Sequence, residues 1–116
     1  MAAPEDVRKA VGLGAIGFGV LAVAAPRVFL GIYGIPDEAN VRLMTRVWGT
    51  RTTVLGALSL VLRDADDRRT LMTAAAAMEA ADTLLIATSH APARARMMGA
   101  ATTGGFAAAT AYALTE

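Results

Sequence analysis

The chain has 116 residues, of which 55% are hydrophobic and 18% charged, against ~45–50% and ~25% in ordinary soluble domains. Eleven basic side chains nearly cancel ten acidic ones, which excludes an electrostatic nucleic-acid binder and an acidic disordered tail. The absence of cysteine excludes a disulfide frame, a thiolate nucleophile and a Cys-ligated metal.

The length suits one domain, residues 1–116, and the punctuation divides it into four long helices, at about 9–25, 38–62, 69–89 and 94–114. The first is charge-free over the 17 residues from Ala10 to Pro26. A bilayer span needs roughly 20 mainly apolar residues, with a range of about 17–25. Arg8 and Lys9 ahead of a run ending Ala22-Val23-Ala24-Ala25 have the pattern of a signal peptide. Glu5 and Asp6 neutralise that n-region, and cleavage would strand three helices, so a retained span is expected. Gly12-x-Gly14-x-x-Gly17 spells the dinucleotide fingerprint, but it lies inside one apolar run without the strand that the fingerprint requires. The small-xxx-small pairs Ala10/Gly14 and Ala15/Gly19 point instead to close helix contacts.

Pro26 ends the first helix. The apolar stretch from Arg27 to Pro36 reads as an interfacial segment on the membrane surface, not a fifth span. Asp37 is a candidate N-cap for the second long helix, which carries Arg42, Arg46 and Arg51. The polar run from Arg63 to Arg69 predicts a tight aqueous turn, and the third helix then carries Glu79 and Asp82. The fourth contains 19 charge-free residues from Met97 to Thr115, with small ladders Gly99/Thr103/Ala107/Ala111 and Ala100/Gly104/Ala108. The fold class is therefore all-α: a four-transmembrane-helix antiparallel bundle with an interfacial segment between helices 1 and 2. Small faces of this kind close a bundle or join protomers in a homo-oligomer. Arg8, Lys9, Arg63, Arg68 and Arg69 on one side outnumber Arg27, Arg42, Arg94 and Arg96 on the other. Both termini are then expected in the cytoplasm, with the protein in a bacterial inner membrane.

The intramembrane charges are the candidate site. Arg51 lies 15 positions before Asp66, with Asp82 16 after it and Glu79 13 after it. Equal distance from a hairpin turn means equal depth, so Arg51 and Asp82 should be level, with Glu79 on the same face as Asp82 at i,i+3. Arg46 falls on nearly the opposite face from Arg51, beside Gly49 and Gly56. A charge at the bilayer centre costs at least ~2.5–3.5 kcal/mol, so such groups pair, face the interior and often mark a site. The ligand-binding candidates are Arg46, Trp48, Arg51, Glu79 and Asp82, forming a polar pocket for a hydrophobic or amphipathic small molecule or a partner protein. If the protein is an enzyme, Glu79 and Asp82 would supply the acid–base chemistry of an isomerase or cyclase acting on a lipophilic substrate. A proton-coupled small transporter is the third reading. No metal or cofactor is expected: His90 stands alone at a helix end, and the Glu-x-x-His of di-iron bundles is absent.

The pattern Arg46-x-x-Gly49-x-Arg51-x-x-x-x-Gly56, followed by Asp82 in the next helix, resembles small four-helix membrane proteins of unknown function common in actinobacteria. The resemblance runs from about Val11 to Leu114 and implies a four-span bundle without supplying an activity. A looser similarity to DoxX-like proteins rests on size and helix count. Small multidrug transporters share those features, but they carry a glutamate in the first helix, where this chain has no acidic residue between Ala10 and Ala25.

Overall fold

In a computed structural model, which describes residues 2–115, the chain is all-helical. The expected domain limits, Met1 and Glu116, lie outside the described residues. Five helices occur among them: α1 (Pro4–Ala24), α2 (Pro26–Tyr33), α3 (Ala39–Val61), α4 (Ala65–Ala87) and α5 (Ala93–Ala113). The bundle is 41 Å long and 26 by 23 Å across.

The helix ends follow local chemistry. α1 begins about five residues earlier than expected, because Pro4 occupies the first turn and Glu5 and Asp6 complement the helix dipole there. The segment after Pro26 is itself a helix. Phe29, Leu30 and Tyr33 turn inward from it, while Val28 and Ile32 stay exposed. Gly34 closes α2 in the left-handed region at φ 68°, and the Ile35 amide donates back to the Leu30 carbonyl at 2.9 Å. The polar run 63–69 is mostly the first turn of α4 and not a loop. Asp64 caps that helix by accepting from the Asp67 amide at 2.9 Å, and Asp66 and Asp67 occupy its positive end. The connection between α3 and α4 is therefore only Leu62–Asp64.

Chain order does not dictate the packing. α3 packs chiefly on α1, and α4 chiefly on α5, while α3 and α4 touch sparingly despite their short connection. The α1–α3 seam explains this. The buried residues of α1 are Arg8, Gly12, Ala15, Gly19 and Ala22, and those of α3 are Thr45, Gly49, Thr52, Gly56 and Ser59. Both series step by four and three, the heptad seam of helices that stay in contact along their length. Gly12 faces Gly56 and Gly19 faces Gly49. A Cβ on Gly56 would stand 2.8 Å from the Gly12 carbonyl oxygen. The glycines that matter are thus Gly12 and Gly19. Gly17 meets nothing within 4 Å, and Ala10 is exposed. On α5, Gly99 and Thr103 do face α4: a Gly99 Cβ would meet Ile86 at 3.1 Å, and the Thr83 and Thr103 hydroxyls bond at 2.7 Å. Ala111, the last member of that ladder, is exposed. Phe18 and Phe106, edge to face at 5.8 Å, join α1 to α5.

The two ends of the described residues meet at one end of the bundle. The Tyr112 hydroxyl donates to the Ala2 carbonyl at 2.7 Å, and Arg69 Nη1 donates to the Leu114 carbonyl at 2.8 Å. At the other end, Arg94 Nη2 donates to the Ile32 carbonyl at 3.0 Å, tying α5 to α2. By length and composition, α1 and α4 are apolar enough to cross a membrane. α3 falls short of that measure through its three arginines. α5 falls short because its charge-free stretch is largely Ala, Gly and Thr, which are only weakly apolar.

Candidate ligand-binding cleft between α3 and α4

The sparse contact between α3 and α4 leaves a cleft, and one ion pair crosses it. Arg51 Nη2 donates to Asp82 Oδ2 at 2.7 Å. The Asp82 side chain is 23% exposed and that of Arg51 38%. Arg51 Nε is buried without a hydrogen-bond partner among the described residues. A buried guanidinium N–H left in this state costs free energy unless an acceptor arrives. Trp48 sits one turn from Arg51 on the same side of α3, and both line a cavity of about 290 Å³ with Asp82.

A second cavity, of about 400 Å³, continues from the first toward α2. Met44, Trp48, Leu85 and Ile86 line both. Its inner wall is aromatic: the Phe29 ring lies 5.3 Å from that of Trp48 and 4.9 Å from that of Tyr33. Tyr33 reaches across to α5, where its hydroxyl bonds Thr102 Oγ1 at 2.8 Å. That bond satisfies the phenol and leaves the ring to face the cavity. The mouth opens sideways, past Leu85 at 69% exposure and Met44 at 63%. One end of the cleft is therefore ionic and the other apolar, at a size suited to a small ligand.

The remaining site candidates lie elsewhere. Glu79, one turn from Asp82, lines a separate inner cavity of about 40 Å³ together with Arg8, Thr52, Ser59 and Thr110. No hydrogen bond or ion pair joins its carboxylate to Arg51. Arg46 lines another pocket, at the α2 end of the bundle, with Arg27 and Arg42. Of the five candidates, the structure brings Trp48, Arg51 and Asp82 together.

Arg8 is the residue that sequence reasoning misplaced among the aqueous flanking charges. It is only 8% exposed, and its Nη1 donates to the Ser59 carbonyl at 2.8 Å. The signal was its spacing: Arg8 stands four residues before Gly12, at the head of the heptad seam.

Comparison with curated proteins and with solved structures returned no match. One family model matches residues 12–114, and its boundaries enclose the whole cleft. The chain therefore belongs to the DUF4267 family, a domain of unknown function.

Proposed function

We propose that this is a small integral membrane protein that holds a hydrophobic or amphipathic small molecule in the α3–α4 cleft. The polar head sits at Arg51 and Asp82, and the apolar body lies against Trp48, Phe29 and Tyr33. The observation that carries this reading is the continuity of an ion pair and an apolar cavity in one laterally open cleft. Arg51 Nε offers an unused donor to the head.

The distribution of side chains supports four crossings, by α1, α3, α4 and α5, with α2 at the surface. The buried positions of α3 hold only Gly, Thr and Ser, while Leu43, Met44, Val47, Val54 and Val61 point outward. Water would drive the opposite arrangement. Lipid, as apolar as leucine, favours small interfaces and outward aliphatic side chains. The hydroxyls also suit a bilayer. Thr45, Thr50 and Thr53 on α3, and Thr102 and Thr103 on α5, each donate to the carbonyl four residues back, at 2.7 to 3.1 Å. Threonine bound in this way presents mainly its methyl group, so hydropathy alone understates how well α3 and α5 fit a bilayer. Glu79 and Asp82 line different cavities, although their charges are close enough to interact with each other and with Arg51.

Trp48 is the sole tryptophan, so its fluorescence reports the cleft directly. The purified protein in phosphatidylcholine nanodiscs is titrated with dibrominated stearic acid. Saturable quenching, abolished by removing the head contact with Arg51→Met, is expected. Quenching that merely tracks the bromine content of the bilayer, as with brominated phosphatidylcholine, would refute a cleft site. Recovery of the protein as a soluble monomer after alkaline washing without detergent would refute membrane insertion.

A further inference from the structure

The pocket holding Arg46 lies where α1 ends, α2 begins and α3 begins. It has a volume of about 480 Å³ and is walled by Arg27, Arg42 and Arg46, with Val28 and Leu43 beside them. One acidic group answers these three cations: Asp37 lies 3.3 Å from Arg27 and 2.5 Å from Arg42. Glu38 is exposed and does not line the pocket. Arg46 is exposed and makes no side-chain hydrogen bond or ion pair among the described residues. The site thus keeps a surplus of positive charge on two fixed arginines and one open one.

Two helix N-termini converge on the same place. Neither α2, starting at Pro26, nor α3, starting at Ala39, has a side-chain cap. Their first-turn amides are left for an external acceptor, with the positive ends of both dipoles behind them. The carbonyl end of α1 also reaches this pocket, where the Leu21 carbonyl accepts from the Ala25 amide, so the arginines and not the helix ends alone set its positive sign.

The surroundings select the kind of anion. Leu43, Val47 and Val54 continue from the pocket along the outer face of α3, each at least half exposed. A charged head lodged among the arginines would lay an acyl chain along this stripe. We propose that the Arg27/Arg42/Arg46 pocket binds the phosphodiester head of an anionic glycerophospholipid, with a chain along Leu43, Val47 and Val54. The proposal rests on the membrane-spanning reading and needs no ligand in the cleft, although Val47 also lines that cleft. Interfacial basic pockets between helices recognise such heads by charge and by bidentate guanidinium contacts.

The test is native mass spectrometry of the detergent-purified protein with phosphatidylglycerol or phosphatidylcholine of matched chains. Tighter retention of phosphatidylglycerol is expected, falling about fivefold for each arginine removed. Arg46→Gln is the first variant, because its side chain is exposed and makes no hydrogen bond or ion pair among the described residues, so folding is expected to be undisturbed. Asp37→Asn should move affinity the other way, a gain that misfolding cannot imitate. Equal retention of both lipids overturns the proposal, as does an Arg27→Gln/Arg42→Gln/Arg46→Gln protein with its preference intact. Displacement of phosphatidylglycerol by millimolar inorganic phosphate would assign the pocket to a free anion and also overturn it. A protein that does not insert into phosphatidylcholine vesicles at all would refute the membrane reading itself, a separate result.

Discussion

Gly19 and Gly49 meet backbone to backbone: a Cβ on either would stand 2.6 Å from the carbonyl oxygen of the other. No side chain can yield there, so a methyl group must push α1 from α3. Gly19→Ala and Gly49→Ala should each destabilise the protein by about 1–3 kcal/mol, the usual cost of overpacking. Gly17→Ala has open space around it and should be neutral or stabilising by up to ~1 kcal/mol through helix propensity. Thermal melting in one detergent compares the three. Equal behaviour at positions 17 and 49 would mean that the α1–α3 seam is not a close contact.

The Arg51–Asp82 pair predicts a non-additive cycle. Arg51→Met or Asp82→Leu alone strands a charge in low dielectric and should cost roughly 3–5 kcal/mol. The double variant should recover much of that loss. If it recovers stability but no longer shows saturable quenching of Trp48, the pair serves the ligand. If it keeps both, the pair is structural. Two additive losses would mean that the residues do not interact.

Topology can be read by labelling, because the chain has no cysteine to give background. Single cysteines at Ala2, Asp66 and Thr115 should react from one side of a sealed vesicle, and those at Glu38 and Arg94 from the other. Arg46 opens to the α2 end and Arg8 is buried in the seam, so the count of flanking cations no longer favours the end that holds the chain termini. Labelling then assigns which end is cytoplasmic. Reaction of Ala2 and Thr115 from opposite sides would refute an even number of crossings.

Much of the architecture was legible, and the reasons are specific. Charge-free runs and prolines marked the long helices, because helix ends answer to local chemistry. The pairing of Arg51 with Asp82 followed from counting outward from Asp66, although the turn lies at Leu62–Asp64. Counted from Arg63, at the centre of that connection, the two residues stand 12 and 19 positions away, so the pair forms without the equal depth that the count assumed. The partner of α1 was harder to see. Gly12/Gly19 and Gly49/Gly56 share a seven-residue spacing, but small pairs at four-residue spacing, such as Ala10/Gly14, compete for attention along the same helix. The divergence of Glu79 from Asp82 had no sequence signal at all. Two residues at i,i+3 differ by about 60° around a helix, and where α4 leans away from α3 that angle separates a cleft from an inner cavity.

The crosswise pairing also orders biosynthesis. α1 finds its partner α3 as soon as residue 61 is made, whereas α4 must wait for α5. On the proposed membrane-spanning reading, Arg51 would already be in place on the completed α1–α3 pair when α4 follows with Asp82. The acidic helix would then insert next to a waiting counter-ion. Its carboxylate would not have to wait for α5 to be neutralised.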